Sequence, residues 1–345
     1  MTRKMSIFML CLLIAVAILA VTPRTARAQI TYTANAGGET KDQAVQADAF
    51  LPNEFWLLEG DSIQWTFAPK NEIHTVTFLM PGQVRPMAPP PAGPPFAFQN
   101  PPTSCTISAS PATYDGSACV SSAPMSGGAT FSVTFPTAGN YKLVCLVHTD
   151  MNGTVHVLDN TAENAALLHS QRFYDDVAQD EENGLLLDHD RRNNGVDDST
   201  APNAVTAGIG EIIATGGGLQ YRAVVRFLSG TIRIHKGDSV LWTNLDPTEP
   251  HTVTFGTEPD NFIPTTQVDL GAPDADGTLS GEIDSTGDFL SSGFLQAQAP
   301  DRTESPQLPP GVTRIRITFP KAGVYKYHCA LHDVDGMVGT VIVLP

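Results

Sequence analysis

The sequence predicts an all-β chain: two β-sandwiches in tandem, joined by a helical connector. Three observations carry that prediction. The first is an internal repeat. FLPNEFWLLEGDSIQWTF from Phe50 aligns without gaps on FLSGTIRIHKGDSVLWTN from Phe227, and the same offset of 177 carries HTVTF at His74 onto HTVTF at His251. VTFPTAGNYKLVC, ending at Cys145, matches ITFPKAGVYKYHC, ending at Cys329, at an offset of 184, and each copy closes on Gly-Thr-Val, at Gly153 and Gly339. Several blocks repeating in order mark a duplicated module. The second observation is texture: inside each copy the segments are short, alternate in polarity and are rich in Val, Ile, Thr, Phe and Trp. Gly-Asp, Pro and Ala-Gly turns separate them, the pattern of an antiparallel sandwich. The third is a stretch between the copies with helical spacing of Ala, Leu and Phe/Tyr.

Along the chain, residues 1–28 read as a secretory signal. Arg3 and Lys4 precede the apolar run MSIFMLCLLIAVAILAV, and small residues at Ala26 and Ala28 place cleavage after Ala28. An uncleaved membrane anchor is the alternative. The mature protein is therefore expected to be periplasmic or secreted, without stable membrane insertion. Residues 29–159 form the first module, with Trp65 packed in its core as Trp242 is in the second. Its long loop, PGQVRPMAPPPAGPPFAFQNPP (81–102), is stiffened by proline. Just beyond, Cys105 and Cys119 flank TISASPATYDGSA, and an oxidising compartment is expected to join them as a disulfide. Residues 160–204 are the connector. Asn160 with Glu163 resembles a capping box, so a helix of about four to six turns is expected, followed by the polar DHDRRNNGVDDSTAPN. Residues 205–345 are the second module, whose insertion at 257–312 is rich in Gly, Asp and Ser.

The chain of 345 residues carries 36 acidic and 20 basic side chains, a formal charge of −16. The signal contributes only basic residues, so its removal deepens the deficit. Such a chain repels nucleic acid and anionic lipid, and any partner steered to it by charge is basic. Neither a Gly-x-Ser-x-Gly elbow nor a phosphate-binding glycine loop occurs, and DDVAQDEEN reads as the solvated face of the connector.

The chemistry lies in the repeated motif. Each copy has a distant histidine and then a compact Cys-His-Met group: His74 with Cys145, His148 and Met151, and His251 with Cys329, His332 and Met337. Two imidazoles, a thiolate and a weak thioether form the donor set of blue copper sites, where soft sulfur suits the cuprous ion and imidazole suits both oxidation states. In a sandwich, loops distant in sequence meet at one end, so these donors can share an ion.

These residues resemble the cupredoxins, the family of plastocyanin, amicyanin and azurin. Cys-x2-His-x4-Met in the second copy has the plastocyanin spacing, and Cys-x2-His-x2-Met in the first has the amicyanin spacing. The resemblance covers about residues 45–158 and 220–345 and implies Greek-key sandwiches with two type 1 copper sites, one per module. It further implies a carrier of single electrons between redox proteins rather than an enzyme. His148 and His332, as the matching histidine does in the family, should then lie near the surface as the electron exit. One departure stands out: Thr75 and Thr252 follow the first histidines, where plastocyanin and azurin have asparagine, so the hydrogen bonding around sulfur differs.

His328, next to Cys329, should point away from the copper by strand alternation. The copper nitrite reductases and multicopper oxidases place a second copper at such a histidine. The partners for it are missing here: position 256 is Gly256, position 144 is Val144, and neither His-x-His nor His-Cys-His occurs. His156, His235, His169 and His189 are expected at the surface. Two rival functions stay open: copper storage or delivery, and a copper enzyme of the nitrite reductase or oxidase type.

Overall fold

The computed structural model describes residues 27–83, 105, 107–168, 203–296 and 311–345. Residues 1–26 of the leader, most of the 81–102 loop, the connector beyond Leu168 with His169 and His189, and 297–310 lie outside the described residues. Thr31–Pro345 forms one unit.

The first module contributes β1 (Thr31–Glu39), β2 (Val45–Leu51), β3 (Glu54–Leu58), β4 (Ser62–Phe67), β5 (Thr77–Phe78), β6 (Ala112–Thr113), β7 (Val120–Ser121), β8 (Thr130–Thr134), β9 (Gly139–Val144) and β10 (Asn152–Leu158). The second contributes β11 (Ala204–Ala214), β12 (Leu219–Leu228), β13 (Thr231–His235), β14 (Ser239–Leu245), β15 (Thr254–Phe255), β16 (Gln267–Val268), β17 (Leu279–Glu282), β18 (Leu290–Ser292), β19 (Arg314–Thr318), β20 (Gly323–His328) and β21 (Val338–Leu344). Alternation in the sequence becomes alternation in burial: in β8 the side chains of Phe131 and Val133 point inward, and in β19 those of Ile315 and Ile317 do. Trp65 and Trp242 are fully buried in the two cores, each ringed by phenylalanine or tyrosine. Cys105 and Cys119 form a disulfide.

The modules match strand for strand. β3-β10-β9-β5-β7 makes one face of the first sandwich, and β13-β21-β20-β15-β18-β16 makes one face of the second, with β16 added. The sheets are mixed, which corrects the antiparallel expectation: β1 runs parallel to β4, β3 to β10 and β6 to β8, as do β11 and β14, β13 and β21, and β17 and β19. Strands brought together by Greek-key crossovers, rather than by hairpins, are free to run parallel.

The remaining faces are not separate. β2 pairs antiparallel with β12, Asp48 opposite Tyr221 and Val45 opposite Val224, and fuses them into one ten-stranded sheet. Each edge strand thereby covers the other's unpaired backbone groups.

The helix α1 (Ala162–Leu168) follows β10. Its N-cap is Thr161, whose hydroxyl accepts from Asn164 N at 3.1 Å. The cap thus falls one residue past Asn160, and Glu163 takes the second helical position, where a carboxylate favours the helix dipole instead of closing a box. Among the described residues no helix is long and apolar enough to cross a membrane.

Candidate metal centres

In each module the first histidine precedes a two-residue strand (β5 or β15), and the cysteine follows β9 or β20. The copper loop is closed by its own backbone: Cys145 N donates to Met151 O and Cys329 N to Met337 O, both at 3.0 Å. The predicted donors converge. His74 Nδ1 and His148 Nδ1 are 3.0 Å apart, with Cys145 Sγ 3.9 Å from the latter. His251 Nδ1 and His332 Nδ1 are 3.2 Å apart, and Cys329 Sγ lies 3.9 and 3.4 Å from them. Met151 and Met337 are fully buried in the same core clusters as the cysteines.

Two ring nitrogens and a sulfur this close must share either a proton or a metal ion among them. Donors sharing one ion through bonds of about 2.0–2.3 Å stand about 3–4 Å apart, which is the spacing seen. The residues therefore fit copper. Burial pushes the Cys145 and Cys329 thiols up, but the facing imidazoles outweigh it and hold both well below the usual thiol range. Reciprocally, burial draws His332 down, and the Cys329 thiolate overcomes it and raises the imidazole to about 10.

Thr75 and Thr252 take up the task their position requires. Each backbone N–H points at the sulfur, Thr75 N at 3.4 Å and Thr252 N at 3.3 Å. Each hydroxyl accepts from the residue after the cysteine, Leu146 N at 2.8 Å and Ala330 N at 2.7 Å, and so ties the two ligand loops together. Thr252→Val keeps the shape but strips the acceptor from a partly buried N–H, an expected loss of about 1–3 kcal/mol. Denaturant unfolding beside the wild type checks this, and an unchanged midpoint would deny the hydroxyl its bridging role.

Several functional residues escape the motif. Gly37 and Gly208, at positive φ of 78° and 77° in the bulges of β1 and β11, leave room for the His74 and His251 rings. Behind His251 lies the buried Asp246, its Oδ2 3.7 Å from Nε2, held by Tyr221 OH and by the Thr248 and Glu249 N–H groups. A carboxylate there orients a ligating ring. The first module has Pro69 at the equivalent position, so His74 Nε2 lacks this carboxylate; neither Nε2 makes a hydrogen bond, His251 meeting Asp246 only at ion-pair distance.

The surface expectation for His148 and His332 is overturned: they are 6% and 4% exposed. The β2–β12 pairing sets the copper loop of each module against the other module. Thr248 Oγ1 lies 3.3 Å from Asp150 Oδ2, and Asn71 Nδ2 donates to Asp335 Oδ1 at 2.8 Å. His148 Nε2 reaches Glu72 Oε1 at 2.9 Å. His328 lies on the opposite side of its strand, partly exposed, with Nε2 2.9 Å from Glu258. His235 is exposed, whereas His156 is partly buried between Asn140 and Glu54 and stacked on Trp56.

The family of copper binding proteins of the plastocyanin/azurin type matches residues 219–344. No curated protein matches the chain. Solved structures similar to it include auracyanin A, a "blue" copper protein from the green thermophilic photosynthetic bacterium Chloroflexus aurantiacus, at 20% identity over 38% of this chain and 100% of that one, with a TM-score of 0.26. A purple cupredoxin from Nitrosopumilus maritimus is 21% identical over 41% of this chain and 98% of its own, with a TM-score of 0.19. The family match falls on the second module, and the first module repeats that module's strand order and its histidine–cysteine–histidine cluster.

Proposed function

We propose that this is an exported blue copper protein that carries single electrons between extracytoplasmic redox partners, with one type 1 copper in each module. The observation that carries the reading is the doubled convergence of two imidazoles on a buried cysteine. His74, Cys145 and His148, with Met151 on the loop closing beside them, hold one ion. His251, Cys329, His332 and Met337 hold the other. Copper supplies the one-electron chemistry. The chain supplies a thiolate kept ionised by its imidazole neighbours, N–H groups on the sulfur, and ligand loops locked by Thr75 and Thr252. Rigid donors are what a carrier needs, because a site that barely moves between oxidation states exchanges electrons with little reorganisation. The leader supports export, and the charge of −16 favours a partner with a basic face. With both outward histidines covered, that partner meets the protein elsewhere on its surface.

Metal analysis with optical and spin-resonance spectra tests the reading. Two coppers per chain, an intense thiolate absorption, and cycles of reduction and reoxidation without metal loss are expected. Release of copper on reduction favours delivery, and turnover of nitrite or oxygen favours an enzyme. A colourless copper complex overturns the type 1 assignment.

A further inference from the structure

We propose that the junction between the modules is a third metal site, in which the carboxylates of Asp48, Glu72 and Glu249 bind a hard divalent cation of the calcium class. Asp48 comes from β2, Glu72 from the loop before His74, and Glu249 from the matching loop of the second module. Oxygens of Asp48 and Glu249 and a ring nitrogen of His148 lie within 4.8 Å of one another, and Glu72 bonds the same imidazole.

The cluster is short of positive charge. One imidazole N–H serves one carboxylate, and Glu72 takes it, at 2.9 Å. Asp48 Oδ2 stands 3.9 Å from that nitrogen, too far for a hydrogen bond, although Asp48 is only 2% exposed. Among the described residues no hydrogen bond reaches the carboxylate of Asp48 or of Glu249, and no lysine or arginine pairs with any of the three acids. A buried carboxylate in that position must take up a proton or a metal.

Oxygen donors select a hard cation rather than another copper. Calcium takes oxygen ligands at about 2.3–2.6 Å, so its donors lie within about 5 Å of one another, and the Asp48 and Glu249 oxygens meet that limit. Such an ion would tie β2 of one module to the His251 loop of the other. It would also neutralise Glu72 and Glu249, whose charges act on both His148 and His332.

The inference goes beyond the electron-carrier reading and does not depend on it. The test uses the full copper-loaded chain, stripped with a calcium-selective chelator and titrated calorimetrically with CaCl2 while its thermal melt is recorded. One calcium per chain is expected, with an affinity of about 0.1–1 mM or tighter, the range of extracellular calcium modules, and a raised Tm. Asp48→Asn and Glu249→Gln should each weaken binding at least about tenfold, because affinity follows ligand charge. Glu258→Gln, whose carboxylate bonds His328 away from the junction, should bind as wild type does. No saturable uptake of Ca2+, Mg2+ or Mn2+ by the wild type overturns the proposal and leaves protons as the occupants. Uptake unaltered in both junction variants overturns it equally. The thiolate band of the same sample reports copper separately, so the two readings fail independently.

Discussion

Cys329→Ser is expected to abolish the thiolate absorption of the second module, lower bound copper from two per chain to one, and leave the first module's spectrum in place. The band requires sulfur bonded to the metal, and a serine hydroxyl is a hard, weakly acidic donor that neither ionises there nor favours cuprous ion. The fold should survive. Cys329 is fully buried but its sulfur's backbone contact is one N–H, from Thr252 at 3.3 Å, which an oxygen can also accept. The stability cost is then about 1–3 kcal/mol in the metal-free protein, within the ordinary range for a core substitution. Cys145→Ser should be the mirror image, although Cys145 loses two N–H contacts, from Thr75 and Val147, both at 3.4 Å. Metal analysis and absorption spectra of the two variants and the double variant decide it. Independent sites give bands that add. A single substitution that empties both modules would mean that the two sites assemble as one.

The fold was legible because duplication writes the same sentence twice. The strands, the tryptophan cores and the four donors per module can all be found by aligning the copies, since each depends on local pattern and on residue type. The junction could not be found that way. Pairing of β2 with β12 depends on which sheet edges are free in three dimensions, and Gln46 opposite Ala223 has no sequence signature. That pairing sets each ligand loop against the other module, where His148 and His332 are buried. Asp246 was hidden for a related reason: Pro69 occupies its place in the first copy, so the repeat points away from it. Glu72 and Glu249 did leave a trace. The conserved block between the copies begins two residues before the histidine, as Glu-x-His-Thr-Val-Thr-Phe, and a duplicated acid two residues from a metal ligand is a signal of a shared task.

The bulge glycines make the other large prediction, since no alternation pattern asks for them. A Cβ on Gly208 would stand 2.0 Å from His251 Nε2 and 2.3 Å from its Cδ2, and one on Gly37 would stand 2.2 Å from His74 Nε2. Real carbon contacts lie beyond about 3.4 Å, so the ring must shift by more than an ångström, or the strand must. A shift of the ring carries Nδ1 away from Cys329, and moves Nε2 off Asp246. The left-handed backbone adds about 1–2 kcal/mol for any L side chain. Gly208→Ala is therefore expected to empty the second site and to cost about 3 kcal/mol or more in all. Gly237→Ala separates the two causes. Gly237 also has a positive φ, 89°, but nothing lies within 4 Å of its Cβ position. It should pay the backbone strain alone and keep both thiolate bands. If Gly208→Ala retains its copper and unfolds no more easily than Gly237→Ala, the glycine is not the seat of the histidine, and the bulge serves only to bend the strand.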